Sequence, residues 1–210
     1  LNHNYIYFDN GATTWKPIQV VDKINEYYKD YTANAHRGDY DISLKVDLEY
    51  ENARDLVKEF INAKTRQEIV FTSGTTNSLN MIVDGFFRNH LEPGDEVIIS
   101  ESEHASNILP WYRLAKDNGI IVKHCPLVDN HYVTLNNLKS IVTPNTKVIS
   151  LAQITNVIGD VRPIKEICEY AHERDIFVVV DGAQSVPHMK VDFKESNIDF
   201  LSFSGHKMCG

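Results

Sequence analysis

The feature of this sequence that most constrains its fold is an alternation of short apolar runs with longer segments of helical periodicity. Residues 176–180 form an uninterrupted apolar run, and residues 107–118 place apolar side chains three or four positions apart. Strands separated by helices of about a dozen residues are typical of βαβ units. The sequence therefore predicts an α/β fold, a three-layer α-β-α sandwich around a mostly parallel central sheet.

The pattern predicts six strands and six longer helices. The predicted strands cover residues 68–71, 96–100, 120–122, 147–152, 176–180 and 200–203, and the predicted helices cover residues 17–28, 44–61, 75–87, 107–118, 135–142 and 163–174. In open parallel sheets, ligands bind beyond the carboxyl ends of the strands. We therefore expect catalytic and ligand-binding residues in the segments that follow predicted strands, which are residues 73–76, 102–104, 153–156, 181–184 and 204–207.

Composition excludes several classes of function. The net charge of −8 disfavours nucleic acid and anionic membrane surfaces as partners. The longest apolar run, residues 176–180, is far shorter than the roughly 20 residues of a membrane-spanning helix. The three cysteines are far apart and form no CxxC pair, and the histidines show no metal-ligand spacing. These features predict a cytoplasmic protein without disulfides or a metal site.

Residues 73–76, Ser-Gly-Thr-Thr, lie between a predicted strand and a predicted helix. Glycine permits a tight turn, and the amides and hydroxyls that follow can donate to an anion such as phosphate. The same residues are also ordinary helix caps. The segment matches neither the GxxxxGK[ST] loop of nucleotide-binding proteins nor the GxGxxG turn of dinucleotide-binding proteins.

Two further segments carry candidate reactive groups. Asp181 follows the most apolar strand, and a buried carboxylate there needs a partner, which could be a cationic ring nitrogen, a metal ion or the next helix. Lys207 follows small residues after the last strand, and a lysine in a walled pocket can attack carbonyls, although a solvated loop lysine is the alternative. With the phosphate-type turn and the ring of His104, these groups are the set that pyridoxal phosphate needs.

Several ordered motifs extend across nearly the whole chain. They occupy residues 8–14, 34–38, 50–54, 71–76, 103–111, 156–159, 181–184 and 202–208. In these motifs the sequence resembles the class V, fold type I pyridoxal-phosphate enzymes. It resembles most closely the SufS-like cysteine desulfurases, a group that includes the selenocysteine lyases.

The resemblance implies a role for each matching residue. Lys207 would form the Schiff base and move protons, Asp181 would pair with the pyridine nitrogen, and His104 would stack on the ring and assist in acid–base steps. The phosphate would be held by Thr75, Thr76, Ser204 and His206; Asn156 and Gln184 would bind around the ring oxygen and the substrate; Asn10, Ala12, His36 and Arg37 would line the approach of the substrate.

The resemblance also implies an activity and partners. The whole enzyme would remove sulfur from L-cysteine or selenium from selenocysteine, leaving alanine. The sulfur would form a persulfide on an enzyme cysteine and pass to an acceptor protein for iron–sulfur cluster assembly or other sulfur delivery. Relatives are homodimers. An aminotransferase, a kynureninase, an epimerase or another pyridoxal-phosphate lyase would share Lys207 and Asp181, whereas residues 34–38 and 204–207 favour a desulfurase.

The persulfide cysteine of the family, and the arginine that grips the substrate carboxylate, lie far beyond the Schiff-base lysine. We therefore expect residues 1–15 to be an N-terminal segment and residues 16–210 to be the large cofactor-binding domain, without the small C-terminal domain. Such a chain would be inactive alone, as a truncated cofactor-binding fragment or a scaffold. Cys125 and Cys168 are expected to be structural, and Cys209 is not expected to replace the missing cysteine.

Overall fold

The computed structural model describes residues 4–129 and 131–210, so the first three residues of the predicted segment 1–15 lie outside the described residues. The helices are α1 Ile18–Asp30, α2 Asp41–Phe60, α3 Thr75–Met81, α4 Ala105–Asn118, α5 Leu135–Ile141, α6 Ile164–His172 and α7 Ser185–His188. The strands are β1 Glu96–Ser100, β2 Ile121–Cys125, β3 Thr146–Ala152, β4 Phe177–Asp181 and β5 Phe200–Ser202. Short 3₁₀ turns occupy Arg66–Glu68, Phe87–Asn89 and Gly205–Lys207, and a π-helical turn occupies Ile82–Phe86.

The five strands form one sheet in the order β2-β1-β3-β4-β5, and each neighbouring pair is parallel. The chain first moves outward from β1 to β2 and then crosses back to β3, so the strand order reverses between β1 and β3. Because the strands are parallel, Ser100, Ala152, Asp181 and Ser202 all end strands at the same edge of the sheet. This carboxyl edge is where an α/β protein places its ligands.

Helices cover both faces of the sheet, as the three-layer prediction requires. Alternate strand residues point to opposite faces. Ile98, Ile149 and Val178 pack in one fully buried cluster with residues of α6, whereas their neighbours Val97, Val148 and Val179 pack in a second cluster with residues of α3 and α4. The predicted fold class is therefore confirmed.

The predicted strand at residues 68–71 is wrong. The backbone N–H of Ile69 donates to the carbonyl of Arg66, and the Ile69 carbonyl accepts from Nε of Arg54 at 3.0 Å. Both backbone groups are thus used locally and are not available to a strand ladder. The predicted helix 75–87 begins as α3 but continues through the π and 3₁₀ turns, and the other predicted elements agree to within a few residues at their ends.

The chain divides into two compact units. The first contains the described residues up to Phe71 together with Gly205–Gly210, and the second is Thr72–Ser204, which contains the whole sheet. The predicted domain organisation, with its boundary after residue 15, remains a prediction. Within residues 4–129 and 131–210, no helix is both long enough and apolar enough to cross a membrane.

Candidate functional site

The phosphate-type turn brings together residues that are far apart in sequence. The Thr75 amide donates to Oγ of Ser204 at 2.8 Å, and the two side-chain hydroxyl oxygens lie 2.6 Å apart. Both residues are buried, whereas Thr76 is exposed. Gly74, directly before Thr75, has a φ of 128°, a conformation that residues with a Cβ rarely adopt. One amide and two hydroxyls therefore converge at the start of α3, where an anion can accept hydrogen bonds from them.

Asp181 ends β4 and is 4% exposed. Its Oδ1 accepts a hydrogen bond from the amide of Ala183 at 2.9 Å, which orients the carboxylate at the strand end. The next residue, Gly182, lies so close to β5 that a Cβ there would come within 2.7 Å of the Leu201 side chain. The backbone around Asp181 is therefore fixed by close packing. Gln184, at the N-terminus of α7, is also buried.

His104 is the N-cap of α4. Its Nδ1 accepts from the Ser106 amide at 3.2 Å and lies 2.7 Å from the Ser106 hydroxyl, while the residue as a whole is exposed. One ring nitrogen thus orients the imidazole, and its exposed ring remains able to stack on a ligand. Asn156 is exposed in a turn that follows β3, between the bridged residues Ile154 and Val161.

Four buried side-chain polar atoms have no hydrogen-bond partner among the described residues, and two of them belong to residues that end or directly follow strands at this edge. These two are Oε1 of Gln153, directly after β3, and Oγ of Ser202, at the end of β5. Asp181 lies between them, because the Gln153 amide donates to the Asp181 carbonyl and Ser202 is the register partner of Asp181. Buried polar atoms are nearly always paired in folded proteins. The edge therefore has polar capacity beyond what the fold itself uses, which fits a polar ligand.

A buried ion pair at this edge is not predictable from the sequence pattern. Arg162, whose side chain is 0% exposed, pairs with the equally buried carboxylate of Glu103, the residue before His104. The guanidinium also donates to the Ala152 carbonyl at 3.1 Å and to the hydroxyls of Ser100 and Ser102 at 2.7 and 2.8 Å. Glu103 and Arg162 are 59 positions apart, so no local pattern could have identified the pair.

In the first unit, Lys207 lies in the turn Gly205–Lys207 and is half-buried. The carbonyl of His206 accepts from the Thr14 amide at 2.8 Å and from Nζ of Lys16 at 3.0 Å. Burial lowers the pKa of His206, and the positive charges of Lys207 and Lys16 lower it further. Thr14 and Lys16 were also missed, because only the folded chain brings residues 13–16 to the lysine turn.

The predicted substrate residues also lie in the first unit, and all four are exposed. Asn10 and Ala12 belong to a turn in which the Ala12 amide donates to the Asp9 carbonyl. His36 has a φ of 59°, and its amide donates to Oδ1 of Asp47 at 2.5 Å. Arg37 follows it. His36 and Asp47 line an open cleft together with Leu48, Glu51, Arg66 and Gln67.

The predicted site residues are thus divided between the two units. Thr75, Thr76, His104, Asn156, Asp181, Gln184 and Ser204 belong to the second unit, and Asn10, Ala12, His36, Arg37, His206 and Lys207 belong to the first. The second unit brings Thr75 and Ser204 into direct contact and places Asp181 and the His104 segment at the carboxyl edge of the sheet. The first unit brings residues 13–16 against the Lys207 turn.

The cysteines are free thiols. Cys125 and Cys168 are fully buried, and burial raises the pKa of the Cys125 thiol to about 11 and that of Cys168 to about 12. A thiol with such a pKa is a poor nucleophile at neutral pH, because the thiolate is the reactive form. Both residues are therefore structural, as predicted. Cys209 is exposed, and its amide donates to Oγ1 of Thr14 at 2.8 Å.

The parallel sheet with helices on both faces defines a three-layer α/β protein. Residues 6–210 match the family described as class-V aminotransferase, and the chain belongs to that family. A cysteine desulfurase of Haloferax volcanii is 40% identical over 206 residues, which are 98% of this chain and 48% of the relative.

Solved structures give the same result. The apo cysteine desulfurase of Thermococcus onnurineus superimposes with a TM-score of 0.91 at 36% identity, over 97% of this chain and 50% of that one. A structure described as SspA in complex with cysteine superimposes with a TM-score of 0.87 at 30% identity, over 97% of this chain and 58% of that one. The chain therefore spans about half the length of the relatives that it matches.

Proposed function

We propose that this chain is the cofactor-binding part of a pyridoxal-phosphate-dependent cysteine desulfurase. The observation that carries the proposal is the convergence of the Thr75 amide and hydroxyl with the Ser204 hydroxyl. Ser204 lies three residues before Lys207, the only lysine that follows the last strand in this sequence. A phosphorylated aldehyde needs hydrogen-bond donors for its phosphate and a nearby amine that can form a Schiff base with its aldehyde carbon.

The residues present fit this cofactor. Thr75 and Ser204, with Thr76 and His206, would hold the phosphate, and the buried Asp181 would pair with the pyridine nitrogen. Lys207 would hold the aldehyde carbon. The unpartnered Oε1 of Gln153 and Oγ of Ser202 give the edge further polar contacts for a ring with polar substituents. When bound, pyridoxal phosphate supplies an electron sink that weakens the bonds at the α-carbon of an amino acid.

Each candidate site residue would have a distinct role in binding the cofactor or in moving protons. Asp181 would keep the proton on the ring nitrogen, because a buried carboxylate gains most from a cationic partner. His104 would cover one face of the ring and exclude water from it. Lys207 would move protons at the substrate carbons once an incoming amine has displaced it. Asn156 and Gln184 would hydrogen-bond around the ring oxygen, and Asn10, Ala12, His36 and Arg37 would line the approach of the substrate.

The desulfurase assignment of the whole protein rests on its relatives. Those reported above are named cysteine desulfurases or were solved with cysteine. We propose L-cysteine, or selenocysteine, as the substrate, a homodimer as the working form and a sulfur-acceptor protein as the partner, in cytoplasmic iron–sulfur cluster assembly. The sulfur-accepting cysteine and the arginine for the substrate carboxylate would belong to the half of the relatives that this chain does not span.

The cofactor assignment can be tested on the chain itself. We expect the purified chain to bind added pyridoxal phosphate with the visible absorption band of a lysine-bound cofactor. Borohydride should bleach this band and leave the label on the peptide that contains Lys207. Lys207→Ala should abolish band and label, whereas Lys190→Ala, at an exposed lysine of the second unit, should keep both. A label on another lysine, or no label, would contradict the assignment.

The reaction class needs the full-length protein. We expect the full-length protein to release alanine and sulfide from cysteine in the presence of a reductant, and the 210-residue chain to release neither at an appreciable rate. Transfer of the amino group to a 2-oxo acid, without release of sulfur, would instead support an aminotransferase. Turnover of cysteine by the isolated chain would contradict our placing the sulfur-accepting cysteine outside it.

A further inference from the structure

The Glu103–Arg162 pair lies at the point where the strand order reverses, between the carboxyl ends of β1 and β3. Glu103 Oε1 accepts from the Ser100 hydroxyl at 2.7 Å as well as from the Arg162 guanidinium. Its Oε2 accepts from the Ala152 amide and from Nδ2 of Asn107, each at 2.8 Å. The carboxylate thus contacts the last residue of both strands and the first turns of α4.

The contacts of Glu103 connect two candidate ring contacts. On one side, His104 is its neighbour in sequence, and the His104 carbonyl accepts from the amide of Asn107. On the other side, Ala152 is the register partner of Asp181 in the sheet. The buried carboxylate of Glu103 therefore links the segment that carries His104, the candidate stacking residue, to the strand end next to Asp181, the candidate partner of the pyridine nitrogen.

Stability alone does not account for such a pair. Burying two charges costs solvation energy, and apolar replacements of similar volume are often as stable or more stable than a buried ion pair. The guanidinium of Arg162 also donates hydrogen bonds to three residues in two segments of the chain: Ser100 and Ser102, at or just after the end of β1, and Ala152 at the end of β3. A guanidinium used in this way fixes relative positions, because its donors lie in one rigid plane.

We propose that Glu103 and Arg162 are positioning residues that hold the His104 segment at a fixed distance from Asp181, so that the imidazole lies flat on the pyridoxal ring. The proposal rests on the proposed function, because it assumes that the ring binds between these groups. Both side chains are fully buried, so they would act on the cofactor only indirectly. Their effect reaches it through the backbone of residues 102–104 and through the end of β3.

The test compares variants at the two ends of the same strands. Ser102→Ala removes one bond of Arg162 and leaves both charges paired, and Glu103→Gln removes the charge. Glu96→Gln is the matched control, because Glu96 begins β1 and binds Thr146, the first residue of β3, at the opposite edge of the sheet. The readouts are the visible circular dichroism per bound cofactor, the cofactor dissociation constant and the melting temperature.

We expect Glu103→Gln to weaken cofactor binding about tenfold, or about 1.4 kcal/mol, because the groups that contact the ring are then held less precisely. The visible circular dichroism should fall because the ring is less firmly oriented. Ser102→Ala should show a smaller change in the same direction, with a smaller drop in melting temperature than Glu103→Gln. Glu96→Gln should alter only the melting temperature. Unaltered dichroism and affinity in both Ser102→Ala and Glu103→Gln would overturn the positioning role. Absence of cofactor binding by the unaltered chain would overturn the proposed function as well.

Discussion

β1 and β3 are linked at both ends by a glutamate, and the two links differ in partners and in burial. At the amino edge, Oε2 of Glu96 accepts from the hydroxyls of Thr143 and Thr146 at 2.6 and 2.9 Å and from Nζ of Lys123 at 3.1 Å. At the carboxyl edge, Glu103 is bound by a guanidinium, a hydroxyl, an amide side chain and a backbone amide.

The difference separates a link that supports the fold from one that also orients the candidate site. The Lys123 side chain is 25% exposed, so water can partly replace it, whereas the side chains of Arg162 and Glu103 are 0% exposed. The amino-edge link spans a register shift between β1 and β3, next to Glu96 and Thr146. The amino-edge link therefore holds β1 and β3 together where their pairing is irregular. The carboxyl-edge link instead fixes the segments that carry His104 and Asp181.

The largest expected effect comes from removing the guanidinium of the carboxyl edge. Arg162→Met leaves the Glu103 carboxylate buried without its charged partner, which should lower the free energy of unfolding by about 3–5 kcal/mol. Urea unfolding of the 210-residue chain measures the change. The double variant Glu103→Gln/Arg162→Met should recover part of the loss, because it removes one of the two buried carboxylates that Arg162 pairs with, while the carboxylate of Asp160 remains. A loss below about 1 kcal/mol in the single variant would mean that the carboxyl-edge ion pair contributes no more to stability than a solvent-exposed one, which would contradict the difference between the two links.

The next effect tests how tightly the backbone is packed at the carboxyl edge. Gly182→Ala places a methyl group 2.7 Å from the Leu201 side chain and 3.3 Å from the Ser202 carbonyl. We expect a loss of about 1–3 kcal/mol, the usual cost of overpacking. Gly94→Ala, just before β1 at the amino edge, meets nothing within 4 Å and should cost only about 1 kcal/mol for its φ of 91°. Equal losses in the two variants would contradict tighter packing at the carboxyl edge.

Much of the fold could be predicted because its signals are local. An apolar run between polar segments predicts a strand whatever its partner is, and β1 was predicted with its observed bounds. The failure at residues 68–71 has a long-range cause, because Arg54 of α2 takes the Ile69 carbonyl from 15 positions away. The sequence pattern of these residues is that of a strand, and only the folded chain shows that their backbone groups are used elsewhere.

The candidate site divides in the same way. Thr75 and Ser204 are 129 positions apart, yet the sequence pointed to both. Ser204 follows β5 at the carboxyl edge, whereas Thr75 was recognised from the turn and helix-start pattern of residues 73–76, because the strand predicted before it does not form. Arg162 follows no strand directly, and an isolated arginine before a proline carries no signal of burial. Lys16 was missed for a similar reason, since its contact with the His206 carbonyl joins the two ends of the chain.

A smaller effect is expected from the cation of the amino edge. Lys123→Met removes a partly exposed charge, while both threonine hydroxyls can still donate to Glu96. We expect a loss of about 1 kcal/mol, near the upper value for partly exposed ion pairs. The measurement is the same urea unfolding, with Lys190→Ala as an exposed-lysine control. A loss as large as that of Arg162→Met would show that Glu96 depends on Lys123 as fully as Glu103 depends on its arginine.

The smallest effect is the pH dependence that Glu96 adds to stability. Burial raises the pKa of Glu96, but the hydrogen bonds from Thr143 and Thr146 and the charge of Lys123 outweigh burial and hold the pKa below its usual value of 4.5. Because the folded protein favours the ionised form, Glu96 contributes stability above pH 4.5, and this contribution disappears as the pH falls through the lowered pKa. Glu96→Gln should therefore be less stable than the unaltered chain at neutral pH, and the difference should shrink on acidification. Melting temperatures measured across this range, with Glu169→Gln on α6 as the control carboxylate, would reveal the convergence. A difference that stays constant with pH would mean that the amino-edge link acts through packing and not through the charge of Glu96.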